Sequence, residues 1–324
     1  MSKMQGMRRA LVTGATGLLG SHLAKELVSR GIEVVALVKE REPHSIFESE
    51  HLEEKIDVID GKLEDIAALE HAIVDTKVDT VFHLAAQALV EEGVKDPLGT
   101  FEANIRGTYN LLEVCRNTKA VERIVAASSD KAYGTSPTLP YTEDMPLRGE
   151  HPYDVSKSCM DLLCQAYAHT YNLPLCVVRC GNIYGPGDVH FSRLIPGIVR
   201  HIVEGKQPEI RSDGTFIRDY LYVEDVVDGY LKVAEAMDRL DVRGQVFNLG
   251  PNKPFTVIEV VNMILSVMGK KDLGLVIQNR VKDEIHDQYL SGAKAEKLLG
   301  WKPKHSLEEG LKKTIPWYET LLRV

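Results

Sequence analysis

The sequence predicts an α/β fold: a doubly wound parallel sheet with helices on both faces and a smaller, mostly C-terminal lobe. Three observations predict it. Short β-branched runs alternate with amphipathic stretches through the first 180 residues. A glycine-rich turn joins the first run to the first amphipathic stretch, and after residue 181 the alternation loosens into a Gly- and Pro-rich segment. A chain of 324 residues suffices for one large domain or two closely joined ones.

In order, the strand candidates of the first part are RALVTG, IEVVALV, DTVFHLAA, RIVAASS and LCVVRC. Between them the 3.6-residue period predicts helices at LLGSHLAKELVSRG, TFEANIRGTYNLLEVCRN and YDVSKSCMDLLCQAYAHTY. Parallel strands joined by helices cross over right-handedly, which places helices on both sheet faces. The stretch KEREPHSIFESEHLEEK is expected to be a charged, solvated excursion. Beyond GNIYGPGDVHF a helix is expected through RLIPGIVRHIVEG, and VEDVVDGYLKVAEAM with QVFNLG is expected to return to the sheet. Residues 1–180, with a returning segment near 215–250, are therefore assigned to the sheet domain, and 181–324 mainly to the second lobe. Trp301 and Trp317 flank the last helix and are expected to pack against that lobe.

Composition excludes several classes. Hydrophobic residues at 44% and charged residues at 27% are ordinary for a soluble globular chain, not for a disordered, collagen-like or coiled-coil one. Thirty-nine basic against 47 acidic residues give a net charge of −8 without a basic tract, so nucleic acid and anionic membranes are not expected partners. The apolar run of MSKMQGMRRALVTG breaks at Gly14, so neither a signal peptide nor a membrane span is expected, and the location expected is cytoplasmic. Five cysteines (Cys115, Cys159, Cys164, Cys176, Cys180) lack Cys-x-x-Cys spacing, and eleven histidines show no metal-ligand spacing. Free thiols and no metal are expected, and His83 is read as a structural histidine.

Gly14-Ala15-Thr16-Gly17-Leu18-Leu19-Gly20 follows the first strand and opens the helix that runs to Ser29. Glycines there permit a tight turn and let a pyrophosphate approach backbone N–H groups at a helix N-terminus, where the dipole favours anions. In this strand–turn–helix context the motif points to a Rossmann-type dinucleotide site rather than an ordinary glycine turn. The acid that would bind a ribose 2′-hydroxyl is absent: Val38 holds that position, beside Lys39 and Arg41. These cations either neutralise a 2′-phosphate, which favours NADP over NAD, or are two solvated charges at a strand end.

Tyr153 and Lys157 stand four apart on a predicted helix and so share a face. An ammonium there lowers the phenol pKa and allows Tyr153 to act as a base, with Ser129 orienting the reacting hydroxyl; the alternative is a surface pair. Ser128 and Ser129 end an earlier strand.

These segments resemble the extended short-chain dehydrogenase/reductase family, in its nucleotide-sugar-modifying branch, over essentially the whole chain. Beyond Gly14, Gly17, Gly20, Tyr153 and Lys157, the resemblance includes HLAA from His83 to Ala86, Asn104 in FEANIRGTYNLLE, RCGNIYGPGD, FIRDYLYVEDV and LGWKP. It implies a tightly bound, recycled nicotinamide dinucleotide. The residues implied to hold it are Gly14, Thr16, Gly17, Leu18, Leu19, Gly20, Lys39, Arg41, Leu63, Leu84, Ala85, Ala86, Asn104, Tyr153 and Lys157. A nucleotide-sugar substrate would meet Gln87, Asn182, Arg193, Leu194, Arg211 and Arg218, the last-lobe donors taking its diphosphate; for Arg193 and Arg211 a surface salt bridge is the alternative. Lys62 stands where many relatives have the Asp that contacts adenine. The resemblance also implies a homodimer or higher homo-oligomer, paired through the helices at 99–117 and 153–171.

Within the family, SSDKAYG from Ser128 to Gly134 is similar to the active-site strand end of 4,6-dehydratases. Elimination needs an acid for the departing 6-hydroxyl and a base for the carbon-5 proton, and the resemblance casts Asp130 as the acid and Lys131 as the base. The Asp-Lys pair is similar to CDP-glucose and some UDP-N-acetylglucosamine dehydratases, whereas the dTDP-glucose type has Glu at the Lys131 position. HLAAQALV, TFEAN and RLIP also resemble the CDP-glucose type; FIRDYLYVEDV is instead the general family form. The competing readings are a nucleotide-sugar epimerase acting at carbon 4 or carbon 5 and a cofactor-sensing binder without turnover. Intact Ser129, Tyr153 and Lys157 argue against the binder.

Overall fold

A computed structural model of the chain describes residues 6–280 and 284–323. The strands are β1 (Arg9–Thr13), β2 (Glu33–Val38), β3 (Asp57–Asp60), β4 (Thr80–His83), β5 (Arg123–Ser129), β6 (Leu175–Cys180), β7 (Asn182–Tyr184), β8 (Glu209–Ile210), β9 (Ile217–Arg218), β10 (Tyr220–Tyr222), β11 (Val246–Leu249), β12 (Phe255–Thr256), β13 (Val276–Ile277) and β14 (Asp287–Gln288). Seven of them form one sheet in the order β11-β6-β5-β4-β1-β2-β3, every neighbouring pair parallel. The chain runs outward from β1 to β3, then crosses to β4 on the other side. That reversal opens a crevice at the carboxyl ends of β1 and β4.

The sheet buries both faces, so its central strands are apolar without alternation. Ala10, Val12, Val34 and Ala36 point into one core with α1 (Leu18–Ser29), while Leu11, Val35 and Leu37 point into the other. Short helices α2 (Ile46–Ser49), α3 (Ile66–Glu70), α4 (Val90–Lys95) and α5 (Pro97–Phe101) precede the longer α6 (Gly107–Thr118) and α7 (Pro152–Tyr171). Leu111, Leu112, Met160 and Cys164 of α6 and α7 seal the second face. After α8 (Leu194–Val203), helix α9 (Val223–Glu235) comes back to pack on the first core through Val226, Val227 and Tyr230, and β11 pairs with β6. Residues of α8, α10 (Val257–Val267) and α12 (Leu307–Leu322) enclose a separate core, and α11 (Ala293–Leu299) lies against β11.

Three sequence expectations need correction, and one strand, β3, was not among the strand candidates. The charged excursion buries Ile46, Phe47 and Leu52, so it caps the first core rather than standing in solvent. β3 carries no clean alternation because it is the half-exposed edge strand. The helix expected from residue 100 to 117 is interrupted by a π-helical turn at Glu102–Arg106. Asn104 causes the interruption: its amide reaches out of the helix to accept from Gln87 N at 2.8 Å and to donate to Gln87 O at 3.0 Å and Ser156 Oγ at 2.8 Å. Trp301 packs in the first core, donating to Asp225 O at 2.9 Å, and Trp317 lies inside α12 rather than beside it. Of the cysteines, all five are free thiols and four are buried. No group of His, Cys, Asp and Glu among the described residues is placed to hold a metal, and no described helix is long and apolar enough to cross a membrane.

Candidate active site

The turn after β1 is shaped by the absence of side chains. Gly14 has φ +73°, and a Cβ there would stand 2.9 Å from the Ala85 backbone. A Cβ on Gly20 would collide with the Gly14 carbonyl, so this glycine lets α1 sit directly on the turn. No side chain caps α1 at Gly17, and no acid lies in its first turn, so its leading N–H groups remain for an anion. Those features fit a dinucleotide pyrophosphate, with Thr16, Leu18 and Leu19 on the same turn.

The opposite wall, Leu84 to Gln87, is fixed by a chain of hydrogen bonds that starts in the core. Thr13 Oγ1 accepts from Leu84 N and Ala85 N, both at 3.1 Å, and meets His83 Nδ1 at 3.0 Å. Thr108 Oγ1 donates its one proton to Asn104 O at 2.7 Å, so at 2.9 Å it accepts from His83 Nε2. His83 is thereby fixed as the Nε2–H tautomer, and burial holds its pKa down to about 3. It is a neutral structural histidine that sets the backbone facing the glycine turn. Leu63 lies under Gly107, and its carbonyl accepts from Asn110 Nδ2 at 3.2 Å. At the end of β2, Arg41 is held by Asp60 at 2.9 Å and Glu53 at 3.3 Å, whereas exposed Lys39 pairs with its neighbour Glu40 at 3.3 Å.

Ser129, Asp130 and Lys131 leave β5 in a tight 3₁₀ turn. Ser129 Oγ donates to Asp130 Oδ1 at 3.0 Å and accepts from Lys131 N at 3.2 Å. Burial pushes the Asp130 carboxyl above the usual range, with the Lys131 charge, the Ser129 bond and Arg218 acting against it. The half-buried Lys131 also draws the Asp154 carboxyl down against burial, which raises it. A buried network supports this turn from below. Arg179 makes a bidentate pair with Asp161 at 2.8 and 2.9 Å and donates to Tyr133 Oη at 2.7 Å, which in turn donates to Asn248 Oδ1 at 2.8 Å.

Tyr153 enters from the first turn of α7, and burial pushes its phenol up to about 12, opposed by a hydrogen bond with Ser129 and by the charge of Arg193. Lys157, one turn on, is lowered to about 8 by burial and donates to Ala127 O at 2.8 Å. Of the three protons on the Lys157 ammonium, one is given to a β5 carbonyl, and the groups that act against burial on the phenol include Ser129 and Arg193.

The candidate substrate residues divide. Gln87 Nε2 donates to Leu89 O at 2.9 Å, and its Oε1 is buried without a partner. Asn182 is exposed on β7, its amide donating to Asp219 O at 3.1 Å. Arg193 pairs with Asp188 at 3.0 Å at the start of α8, beside half-buried Leu194. Exposed Arg211 pairs with Glu91 and donates to Ser192 O at 3.1 Å, linking α4 to the segment before α8. Buried Arg218 donates to the carbonyls of Ile217, Ile285 and His286 and to Glu284 Oε1 at 2.9 Å, yet its charge reaches Asp130. Sequence reading passed over Asp154 and Asp219. Asp219 is buried beside Asp130 in the same FIRDYLYVEDV segment that carries Arg218, and the acid following that arginine was the available signal.

Residues 10–250 match the NAD dependent epimerase/dehydratase family. The chain is 32% identical over 334 residues to a CDP-glucose 4,6-dehydratase of Salmonella typhimurium, covering 98% of this chain and 92% of that protein. It is 31% identical over 318 residues to a UDP-glucose 4-epimerase of Mycolicibacterium smegmatis, covering 96% and 98%. Among solved structures it superposes on UDP-glucose 4-epimerase with UDP-glucose from Thermotoga maritima at a TM-score of 0.88, with 29% identity and coverage of 97% and 99%. A dTDP-glucose 4,6-dehydratase from Bacillus anthracis in complex with NAD superposes at 0.86, with 28% identity and 97% of each chain covered.

Proposed function

The chain belongs to the NAD dependent epimerase/dehydratase family, and from that premise we propose that it is a nucleotide-diphosphate-hexose 4,6-dehydratase, making a 4-keto-6-deoxy sugar from a CDP-glucose or UDP-N-acetylglucosamine type substrate. The observation that carries this reading is the Ser129-Asp130-Lys131 turn: a buried carboxyl biased toward its acid form, beside an amine, at the end of the strand that faces Tyr153. Residues 1–180 with the returning segment near 215–250 are the dinucleotide domain in this reading, and 181–324 supply most substrate contacts.

A bound nicotinamide would accept hydride from sugar carbon 4 and later return it to carbon 6, leaving no net redox change. Tyr153, oriented by Ser129 with Lys157 beneath, takes the 4-hydroxyl proton. Once carbon 4 is a ketone, the carbon-5 proton is acidic and Lys131 removes it. Asp130 protonates the 6-hydroxyl, which leaves as water, and Lys131 then returns its proton to carbon 5. Asn182, Arg193, Arg211 and Arg218 would meet the diphosphate, with Gln87 and Leu194 near the sugar and base. Arg218 and Arg211 must exchange carbonyl and carboxylate partners for phosphate oxygens to do so.

The test is mass spectrometry of products from a panel of nucleotide sugars. Loss of 18 mass units from one of them is expected, without added reductant. Unchanged mass with altered retention would replace this reading by the second one, epimerisation at carbon 4 or 5. That reading is favoured by the comparably close likeness to the two UDP-glucose 4-epimerases.

For the cofactor, NADP over NAD rests on Lys39, because Arg41 is already shared between two carboxylates. NADP should bind more tightly, and Lys39→Ala with Arg41→Ala should erase most of the difference. Equal affinities in the parent, measured by fluorescence titration, would remove the preference. The protein is further read as a cytoplasmic homodimer or higher homo-oligomer. On the helices read as pairing, Tyr109 of α6 and Leu162 and Tyr171 of α7 expose 38–55% of their surface, apolar positions that a second copy would cover. Light scattering at micromolar concentration should give at least twice the monomer mass, and a monomer would reject the pairing.

A further inference from the structure

The mechanism above leaves one buried carboxyl of the site unused. Asp219, between β9 and β10, is 1% exposed, and its two oxygens are in unlike surroundings. Oδ2 accepts the Leu290 N–H at 3.0 Å, whereas Oδ1 is buried with no hydrogen-bond partner. Oδ1 faces Gly181: a Cβ built on that glycine would collide with it and would stand 3.3 Å from Asp130 Oδ2. Gly181 is not in the left-handed region, so its lack of a side chain serves space rather than backbone conformation. The glycine lets two acids, one from the turn after β5 and one from the single residue between β9 and β10, look at each other across one missing methyl.

We propose that Asp219 is a positioning residue for the acid step: with Asp130 it forms a carboxyl pair that retains one proton at neutral pH, and so keeps Asp130 able to protonate a departing hydroxyl. The use made of the proton rests on the dehydratase reading; the existence of the pair does not. Two carboxylates buried side by side cannot both ionise cheaply, and the proton belongs to the pair rather than to either residue. Burial and then the charge of Asp130 push Asp219 up to about 8.

The surrounding charges act on both members. Lys131 and Arg218 pull Asp130 down, and Arg218 with the Leu290 N–H pulls Asp219 down. The guanidinium of Arg218 is shared with Glu284 and three carbonyls, which weakens its hold on either acid. From α7, Asp154 adds a third acid to the neighbourhood, and Tyr153 is neutral there. Cys180 of β6, Tyr141 and Tyr220 are all raised by burial, so they stay neutral and add no negative charge.

Infrared difference spectroscopy of the purified full chain between pH 5 and 9 reads the stretch of a protonated carboxyl directly. The parent should keep a band at pH 7 that is lost in two steps with the pair. In Asp130→Asn the remaining Asp219 should lose its proton at least one pH unit lower than the parent pair loses its last, a tenfold weaker hold. Asp219→Asn should do the same to Asp130, while its amide still accepts from Leu290 N. A merely structural Asp219 would leave the Asp130 midpoint where it was. Overturning results are a parent with no such band at pH 7, or a lone carboxyl in either variant whose midpoint has not moved. If one variant fails to fold, the other decides by the same criterion. Where the product panel finds a dehydrated sugar, the alkaline limb of its elimination rate should fall with the Asp219→Asn midpoint. A panel without dehydration would defeat the dehydratase reading and leave the infrared result to judge the pair.

Discussion

Tyr153→Phe should reduce hydride transfer by about 10²- to 10⁴-fold, the range for removing a positioned general base, and everything downstream should fall with it. The phenol is almost fully buried and keeps its proton at neutral pH, because burial holds its pKa near 12. A base of this kind becomes more effective as pH rises through its pKa. The rate of carbon-4 oxidation should therefore climb with pH in the parent, and the Phe variant should lose that limb as well as the rate. Ser129 and Arg193 pull the phenol down, so Ser129→Ala should shift the limb to higher pH rather than abolish it. Single-turnover absorbance of the nicotinamide is the measurement. Oxidation of carbon 4 at the parental rate in Tyr153→Phe would mean that another group takes the proton.

The parts of the molecule that were legible in the sequence are those governed by local pattern. A strand that must be buried on both faces becomes a β-branched run, as in β1 and β6, and a helix that must approach a strand through a turn needs glycines at Gly14, Gly17 and Gly20. What escaped were features set by contacts between distant segments. β3 is an edge strand whose residues alternate in neither direction, and the π-helical turn arises because Asn104 bonds to Gln87 and Ser156, 17 and 52 residues away. Similarly, no helical spacing reveals that Lys157 donates to a backbone carbonyl of β5. Asp219 was hidden for a related reason: its neighbour Asp130 lies 89 residues earlier in the chain, and only the sheet brings Gly181 between them. Tyr153, Ser129 and Asp130, read from motifs, do lie together at the end of β5.

Lys131→Met should separate elimination from oxidation. The substitution keeps much of the side-chain volume and removes the amine, so carbon-4 oxidation should stay near the parental rate while loss of water falls by roughly 10²- to 10⁴-fold. The electrostatics of the turn make this variant selective. Lys131 pulls the Asp130 and Asp154 carboxyls down, so its removal leaves both acids held more firmly in their protonated forms. The acid for the 6-hydroxyl is therefore retained, and the defect isolates the base. Transient reduction of the nicotinamide should be seen without product, and solvent deuterium should no longer enter carbon 5. Asp130→Asn should give the complementary and milder result: carbon-5 exchange continues, because Lys131 is intact, but departure of water slows, since the amide has no acidic proton and water substitutes for it only in part. The two variants thus block opposite sides of one elimination. If Lys131→Met still dehydrates its substrate at the parental rate, Lys131 is a structural residue and the Asp130-Lys131 turn no longer distinguishes a dehydratase from an epimerase.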